Sequence, residues 1–312
     1  MKNQITTSHG IGSGDIAGIL GVDKYNTPYQ IYLRKINNEP IPDNAYMKAG
    51  RKLEPVIIDY FCEETNSIPI SSSQVLLSNK LILEDRIIFV KNDWQVSQID
   101  TFYSQESFRK SKIKNFNEWL KVLECKNTTQ ELDEPLDSWF AQHQWQLNTC
   151  DLRFGEIGWF EKGYNFKHRE YEIDFDFINI CERKGGEFWF ENVLKQIPPA
   201  PVNSDDILAM FQSHIAGRYI EAVDDVYNEW LNLKSIQSQI KELSVTENEL
   251  KEKLKLVIGN SEGLSYSEKI LCTWKYDKDS IKIDSKLLKE SEPDIFEKYS
   301  KIQPGARKFL VK

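Results

Sequence analysis

Apolar residues recur along the chain with two periods, one typical of helices and one typical of strands. Over residues 44–65 they return in steps of three and four, which predicts a helix with one buried face. That face would carry Met47, Gly50, Leu53, Ile57 and Phe61. Runs rich in β-branched and aromatic residues predict strands near residues 68–77, 81–91, 94–103, 119–126, 154–161 and 170–177.

The first forty residues predict two shorter helices. Residues 11–21 are glycine-rich and would open a helix, with Asp15 as its cap and Gly21 at its end. Thr27-Pro28-Tyr29-Gln30 is a capping box with proline at the first helical position, so a second helix should run to about Lys35. The glycine-rich turn would either present backbone N–H groups to a phosphate or be a turn without a ligand.

The chain changes character at a proline-rich segment, residues 197–201. Before it, helices are predicted over residues 139–147 and 186–196. After it, residues 206–258 predict a helical arm, either coiled-coil-like or broken into a hairpin with Ser244 or Thr246 as the second cap. A strand over 269–276 and a helix over 284–299 follow. We therefore expect two domains, residues 1–200 and residues 201–312, the second being the arm and a small extension.

Composition and charge exclude several classes of protein. The 312 residues carry 40 Lys and Arg against 48 Asp and Glu, a net charge of −8, which argues against a strongly basic nucleic-acid binder. Local strips are nevertheless basic, with six Lys and Arg against three acids over residues 101–126. The five cysteines form no Cys-x-x-Cys pair, so neither a zinc module nor a disulfide framework is predicted. With no apolar leader or membrane-spanning run, we expect a cytoplasmic protein and no membrane partner.

The predicted strand over residues 119–126 carries the chemistry of most interest. Side chains alternate between the two faces of a strand, so Glu124 and Lys126 share one face. A carboxylate beside an ammonium suits a site that holds a divalent cation and orients a water molecule. The alternative is an ordinary charge pair on a solvated strand.

Further polar residues stand where such a site would need partners. Glu54 lies beside the apolar face of a helix, although it would also fit an ordinary surface position. Asp100 is an acid within a β-rich run, or a residue that merely ends a strand. Gln142 and Gln146 are four residues apart and share a helix face, whereas His143 between them is expected to be structural or exposed.

The order of these residues resembles that of the PD-(D/E)xK nucleases. The chain is more closely similar to the YqaJ-like viral recombinase family, relatives of phage lambda exonuclease. The motifs that carry this similarity are IGSGDIAGILG with TPYQIYLRK, GRKLEP, SQID, LECKN and WFAQHQWQL. The resemblance covers roughly residues 10–200, and TWKYD…PDIFEKY…ARKFLVK looks like an extension found in many phage members. It implies an α/β (α+β) fold with a restriction-endonuclease-like core, in which helices flank a central mixed β-sheet.

The resemblance also implies a role for each matching residue. Glu54, Asp100, Glu124 and the backbone carbonyl of Cys125 would bind one or two Mg²⁺ ions, with Mn²⁺ as a substitute. Lys126 would orient or help deprotonate the attacking water, and Gln142 would support the site as a further catalytic residue.

The activity implied is a Mg²⁺-dependent deoxyribonuclease of phage-type recombination that acts at the ends of linear double-stranded DNA. A 5′→3′ exonuclease leaving 3′ single strands is expected, as a homo-oligomeric ring trimer with a single-strand annealing protein as partner. Expression in the cytoplasm of a bacterial host from a phage or prophage is implied too. A structure-specific or nicking endonuclease on the same core, and a catalytically silent DNA-binding or assembly module, are alternatives.

The chain departs from the family pattern at its N-terminal motif. Relatives read Gly-Gly-Ser-Asp where this chain has Gly12-Ser13-Gly14-Asp15, and the arginine that holds a 5′-phosphate in lambda-type enzymes has no counterpart here. Ser13 and Gly14, with Arg34 or His9 as the cation, are candidates to replace it.

Overall fold

The computed structural model describes residues 10–40, 43–82, 87–105, 119–302, 305 and 307–312. The chain divides into two compact units, Met1–Met210 and Phe211–Lys312. His9 and most of the basic segment between Asp100 and Glu124 lie outside the described residues.

The described part of the first unit contains nine strands and six helices. In chain order the strands are β1 (Ile11–Gly12), β2 (Ser67–Ile70), β3 (Lys80–Ile82), β4 (Ile87–Lys91), β5 (Gln95–Ser97), β6 (Thr101–Gln105), β7 (Lys121–Thr128), β8 (Phe154–Glu161) and β9 (Asn165–Glu172). The helices are α1 (Ser13–Leu20), α2 (Pro28–Asn37), α3 (Ala45–Thr65), α4 (Asp137–Cys150), α5 (Phe175–Glu187), continued by a π-helical segment (Phe188–Val193), and α6 (Ser204–Met210).

The larger sheet has five strands in the order β2-β6-β7-β8-β9. Its central pair, β7 and β8, is parallel, and every other neighbouring pair is antiparallel. Parallel neighbours need a crossover connection, and α4 lies in the crossover between β7 and β8. The smaller sheet, β1-β5-β4-β3, combines one parallel pair, β1 with β5, and two antiparallel pairs.

Helices α3 and α4 cover opposite faces of the larger sheet. On one face Phe61 of α3 packs against Tyr103 and Leu123. On the other, Leu147 of α4 packs in one cluster with Val122. The predicted class, a mixed α/β core with a central mixed sheet flanked by helices, is confirmed.

The capping signals in the sequence predict where α1 ends and where α2 begins. Thr27 accepts a hydrogen bond from the Gln30 backbone N–H and caps α2 as predicted, and Gly21 ends α1 in the left-handed conformation. The predicted role of Asp15 is corrected in detail: the N-cap of α1 is Gly12, and Asp15 stands in the first turn, where its carboxylate accepts from the Gly12 N–H at 2.9 Å.

Several strand predictions were wrong in extent. The run 94–103 is two strands, β5 and β6, which belong to different sheets. The run 81–91 likewise contains β3 and β4, and only Ser67–Ile70 of the run 68–77 is a strand. The strand predicted over 170–177 lies earlier, at Asn165–Glu172, because Asp174 accepts from the Phe177 N–H and starts α5 where a strand was expected. The helix predicted over 186–196 is therefore the end of α5 and the π-helical segment.

The second unit consists of α7 (Asp224–Ile258), a hairpin of β10 (Gly263–Tyr266) and β11 (Lys269–Thr273), and helices α8 (Ser285–Ser291) and α9 (Pro293–Tyr299). The helix predicted over residues 206–258 is wrong in its first part, because residues 211–223 are not helical. The hairpin alternative for the arm is wrong too, since α7 is continuous over 35 residues. Ser244 and Thr246 do not cap: their hydroxyls donate to backbone carbonyls one turn earlier, those of Ile240 and Glu242. The helix predicted over 284–299 is divided before Pro293, which begins α9.

None of the helices within the described ranges is both long enough and apolar enough to cross a membrane.

Candidate active site

Glu124 is the most deeply buried acid of the candidate site, with 2% of its surface exposed. It lies in the middle of β7, on the face that α4 covers. Both of its carboxylate oxygens accept amide hydrogen bonds from that helix: Gln142 Nε2 donates to Oε1 at 2.7 Å and Gln146 Nε2 donates to Oε2 at 2.5 Å. The i,i+4 spacing of the two glutamines thus places one donor on each oxygen.

Lys126 lies two residues further along β7 and on the same face, as strand alternation predicts. Its ammonium forms an ion pair with Glu124 Oε1 at 2.6 Å and donates to Gln142 Oε1 at 2.8 Å. Burial alone would lower the pKa of Lys126, but the negative charges of Glu124 and Asp100 outweigh it and raise this pKa. In the absence of a bound cation the side chain is therefore held protonated.

Asp100 immediately precedes β6, and its carboxylate reaches across to β7. Its Oδ2 accepts a hydrogen bond from the backbone N–H of Cys125 at 2.9 Å. Burial and then the charge of Glu124 raise the pKa of Asp100 well above its ordinary value, and Glu54 adds to the rise; Lys126 and the Cys125 N–H oppose it. The carboxyl group is thus held beside β7 by a backbone contact that does not depend on its neighbours' side chains.

Glu54 enters from α3, which covers the opposite face of the sheet. It is partly buried, and burial followed by the charge of Glu124 raises its pKa. The same charges act on the thiol of Cys125. Burial, followed by the negative charges of Asp100, Glu124 and Glu54, raises the pKa of this thiol well above the usual value. Three acids distant in sequence are therefore close enough to repel one another electrostatically.

The acids do not form a preassembled metal cage. No group of three or more His, Cys, Asp or Glu side chains in the described ranges is arranged to hold a metal ion, and Lys126 already neutralises Glu124. The donor chemistry nevertheless fits a hard divalent cation, because carboxylate oxygens are its preferred ligands and a cation would relieve the mutual repulsion. Binding would require Glu124 to exchange part of its ion pair for the metal.

A cavity of about 370 Å³ opens beside Lys126 and Gln142. Its wall includes Gly14 at the start of α1, and its remaining lining residues are Ala17, Val22, Asp23, Lys24, Tyr25, Gln130, Leu136, Asp137, Ser138 and Trp139. The structure thus brings the N-terminal motif next to the predicted site.

The other two candidates for phosphate binding are placed differently. Ser13 is buried at the first position of α1 and does not line this cavity. Arg34 is directed at Asp15, 3.6 Å away, and donates to Asn26 Oδ1 at 3.1 Å; it does not line the cavity either. Their proposed roles stay predictions.

Sequence reasoning assigned no role to Gln146, although its contact with Glu124 is as direct as that of Gln142. The signal was its i,i+4 spacing from Gln142. His143 is fully buried, in agreement with a structural histidine. Burial lowers the pKa of His143 to about 4, although the charge of Glu124 acts in the other direction.

Comparison with known proteins finds similarity to one family over the N-terminal part of the chain. Residues 6–151 match the model of the YqaJ-like viral recombinase domain. The uncharacterized protein YqaJ of Bacillus subtilis (strain 168) is 26% identical over 332 aligned residues, which cover 97% of this chain and 91% of that protein.

Among solved structures, an alkaline exonuclease from Laribacter hongkongensis aligns with a TM-score of 0.43 and 13% identity, over 61% of this chain and 91% of that one. Its complex with dAMP gives a TM-score of 0.42 and 12% identity over the same shares. A phage-related exonuclease from Haemophilus somnus 129PT gives 0.38 and 9%, over 60% of this chain and 96% of that one.

Proposed function

We propose that the protein is a Mg²⁺-dependent deoxyribonuclease of phage-type recombination. The match of residues 6–151 to the model of the YqaJ-like viral recombinase domain supports this proposal. The observation that carries the proposal is the meeting of Glu54, Asp100 and Glu124 beside the ammonium of Lys126. Glu54 belongs to α3, Asp100 immediately precedes β6, and Glu124 and Lys126 belong to β7. Separate surface positions on these elements would not couple their charges in this way.

Each residue has a task in phosphodiester hydrolysis. Glu54, Asp100, Glu124 and the Cys125 carbonyl would hold the ion, whose chemistry when bound would be to activate a water and to stabilise the leaving oxygen. The Lys126 ammonium has three N–H donors, of which Glu124 and Gln142 accept two. The third has no acceptor among the contacts of the described residues and is available to orient a water or a phosphate oxygen. Gln142 and Gln146 fix the Glu124 carboxylate so that it keeps one orientation.

The substrate we propose is linear double-stranded DNA, degraded from its 5′ ends to leave 3′ single strands. Gly14 and the N-terminus of α1 border the cavity next to Lys126, and backbone N–H groups at a helix start suit a phosphate. By family resemblance, we further propose a ring trimer and a single-strand annealing protein as partner. Contacts between the start of α1 and DNA would be made to the phosphate backbone, so they would carry no sequence specificity.

The decisive experiment measures degradation of linear duplex DNA with Mg²⁺ by the wild type and by Glu124→Gln. The variant keeps the shape of the side chain but removes the charge, so degradation should fall to the level seen without metal. Glu187→Gln is the matched control, because Glu187 is an exposed glutamate paired only with Arg183, and it should retain full activity.

End labels determine polarity in the same assay. Early release of a 5′-terminal label, before a 3′-terminal one, supports the proposed direction. Equal degradation by the wild type and by Glu124→Gln would reject the site altogether.

One observation favours the endonuclease alternative. The side chain of Arg34, the first arginine within the described ranges, is directed at Asp15 and Asn26, and the residues that line the cavity include Lys24 but no arginine. Weak recognition of DNA ends would suit an enzyme that cuts internally. If the wild type nicks covalently closed circular DNA and Glu124→Gln does not, the endonuclease alternative is supported. If calorimetric titration with Mg²⁺ and Mn²⁺ gives no heat of binding, the silent binding module is supported.

A further inference from the structure

Helix α7 carries a row of mainly apolar side chains whose spacing alternates strictly between three and four residues. We call this row the α7 seam. It comprises Val226, Glu229, Leu233, Ile236, Ile240, Leu243, Glu247, Leu250, Leu254 and Val257. Glutamates interrupt it at two of the ten positions, and each step of three followed by a step of four spans the seven residues of a coiled-coil repeat.

The seam is exposed along its length except at Leu233, which is half-buried. The apolar residues Ile236, Ile240 and Leu243 in its middle are 52%, 57% and 69% exposed, and Val226 and Val257 at its ends are 52% and 71% exposed. A row of this length that is left in water favours association with another apolar surface.

The shape of the seam indicates what kind of surface covers it. A helix that packs on a globular domain shows a broad apolar stripe, whereas a seam only two positions wide is typical of helix-on-helix coiled coils. The positions that flank the seam are mainly polar: Gln237, Gln239, Ser244, Thr246, Lys251 and Lys253. We infer that the partner is another long helix.

Length selects the partner. The seam runs over 32 residues, from Val226 to Val257, and at 1.5 Å per residue it needs a helix of about 48 Å. The next longest helix within the described ranges is α3, with 21 residues, and its apolar face is buried against the larger sheet. A second copy of α7 matches the seam in length and in period.

We propose that α7 mediates self-association, pairing with α7 of a second copy of this chain as an antiparallel two-stranded coiled coil. In the register that aligns Ile240 with Leu243 of the second copy, Glu247 faces Ile236 and Glu229 faces Leu254. Each seam glutamate then meets an apolar residue. A parallel pair would instead place Glu229 on Glu229 and Glu247 on Glu247, and buried like charges disfavour that arrangement.

Charges at the two ends of α7 agree with the antiparallel register. Residues 225–233 contain Asp225 and Glu229 and no Lys or Arg, a net charge of −2. The segment that would lie opposite, residues 250–258, contains three lysines and one glutamate, a net charge of +2. Acid near the start and base near the end also suit each helix's own dipole, but the dipole gives no reason for the positions of the two seam glutamates.

The first test is the mass of the full-length chain in solution, by sedimentation or light scattering, at micromolar concentration. Ile240→Glu with Leu243→Glu places four glutamates in the central layer of the pair and should halve the mass of the wild-type assembly. Ser238→Glu with Val245→Glu adds the same charges on the opposite face of α7, where both side chains are exposed, and should leave the mass unchanged. Circular dichroism checks that helix content is equal in all three proteins.

The second test fixes the orientation by disulfide trapping. Chains carrying Ile240→Cys and chains carrying Leu243→Cys are co-expressed with different tags and oxidised. The antiparallel register brings these two cysteines together, so a mixed disulfide should form far faster than either homodisulfide and faster than any cross-link of the wild type.

These readouts are independent of nuclease activity, so the pairing can fail while the proposed function stands. A wild-type monomer would overturn the proposal. So would an assembly, including a ring trimer, whose mass is the same in the seam variant, or a fast homodisulfide of either single-cysteine chain, which would indicate a parallel pair.

Discussion

At the scale of single residues, Glu124 is defined by the donors around it. One oxygen accepts from Gln142 and from Lys126, and the other accepts from Gln146. A carboxylate with this many donors is fixed in orientation, because each hydrogen bond constrains the rotation of the group. The sequence identified Glu124 and Lys126 through strand alternation alone, since both are on the same element. It could not identify the role of Gln146, which depends on how α4 packs across β7.

Replacing Gln146 should reveal its part in the site. Gln146→Met keeps the size of the buried side chain but leaves Glu124 Oε2 without its amide donor, which should lower the free energy of unfolding by about 1–3 kcal/mol. Nuclease activity should also fall, by about 10–100-fold, as is usual when a partner of a metal ligand is lost.

Gln144→Met is the control for this substitution. Gln144 is equally buried on α4, but it bonds the Glu172 carbonyl and the Asp174 N–H instead of an acid of the site. Urea unfolding should show a similar loss of stability with activity retained. An equal loss of activity in both variants would mean that Gln146 has only a structural role.

His143 should make stability depend on pH between about 4 and 6.5. Burial holds its pKa at about 4 in the folded chain, below the ordinary 6.5, so the unfolded chain binds an extra proton in this interval. Stability contributed by the neutral ring is therefore complete above pH 6.5 and is lost as pH falls toward 4, by up to about 3 kcal/mol. Chemical unfolding at pH 7 and pH 4.5 should show a larger decrease for the wild type than for His143→Leu. Parallel decreases in the two proteins would exclude this role.

At the scale of elements, α4 and β8 approach each other unusually closely. A Cβ atom on Gly155 of β8 would lie 2.6 Å from His143 Cε1 and 2.7 Å from the Val122 carbonyl oxygen. On Gly158 of the same strand, the nearest atom would be 3.4 Å away. Absence of a side chain at Gly155 is therefore what lets α4 reach Glu124 with its two glutamines.

Alanine at the two glycines should have unequal effects. Gly155→Ala forces His143 or the β7 backbone to move and should cost about 1–3 kcal/mol of stability, together with part of the activity. Gly158→Ala meets ordinary contact distances and should change stability little. Thermal or urea midpoints of the two variants provide the comparison, and equal midpoints would refute the steric argument.

Elements with one clear local signal were predictable, and elements decided by distant pairing were not. Helices α2 and α3 follow from a capping box and a 3.6-residue period, and β8 was predicted to the residue. The stretch 94–103 has strand-forming residues throughout, but β5 pairs with β1 and β4 whereas β6 pairs with β2 and β7. The local sequence pattern does not indicate that β5 and β6 pair with strands of different sheets.

At the scale of the whole molecule, every candidate site residue belongs to the first unit, and the α7 seam belongs to the second. The two proposed roles, hydrolysis and self-association, are therefore assigned to different parts of the chain. The sequence showed a change of character near residue 200, because the proline-rich segment and the heptad-like spacing are local features. It could not show that the arm is one unbroken helix, since capping residues at Ser244 and Thr246 allowed a hairpin as well.

A fragment of residues 1–210 should fold by itself. It contains both sheets and the three clusters of buried apolar residues, so it should unfold cooperatively in urea and keep wild-type activity on short linear duplexes. The same fragment lacks the α7 seam and should sediment as a smaller assembly than the full chain. An aggregated or uncooperative fragment would show that the first unit needs the second.

The position of Asp100 at the junction of the two sheets has a mechanical consequence. Only three residues separate β5 from β6, and this short link is held at Gln98 by Gln146 and at Asp100 by the Cys125 N–H. A shift of the smaller sheet, which carries none of the candidate catalytic residues, would move this short link and would break the hydrogen bond between the Asp100 carboxylate and the Cys125 N–H. Substitutions in the smaller sheet can therefore change the arrangement of the acids without contacting them.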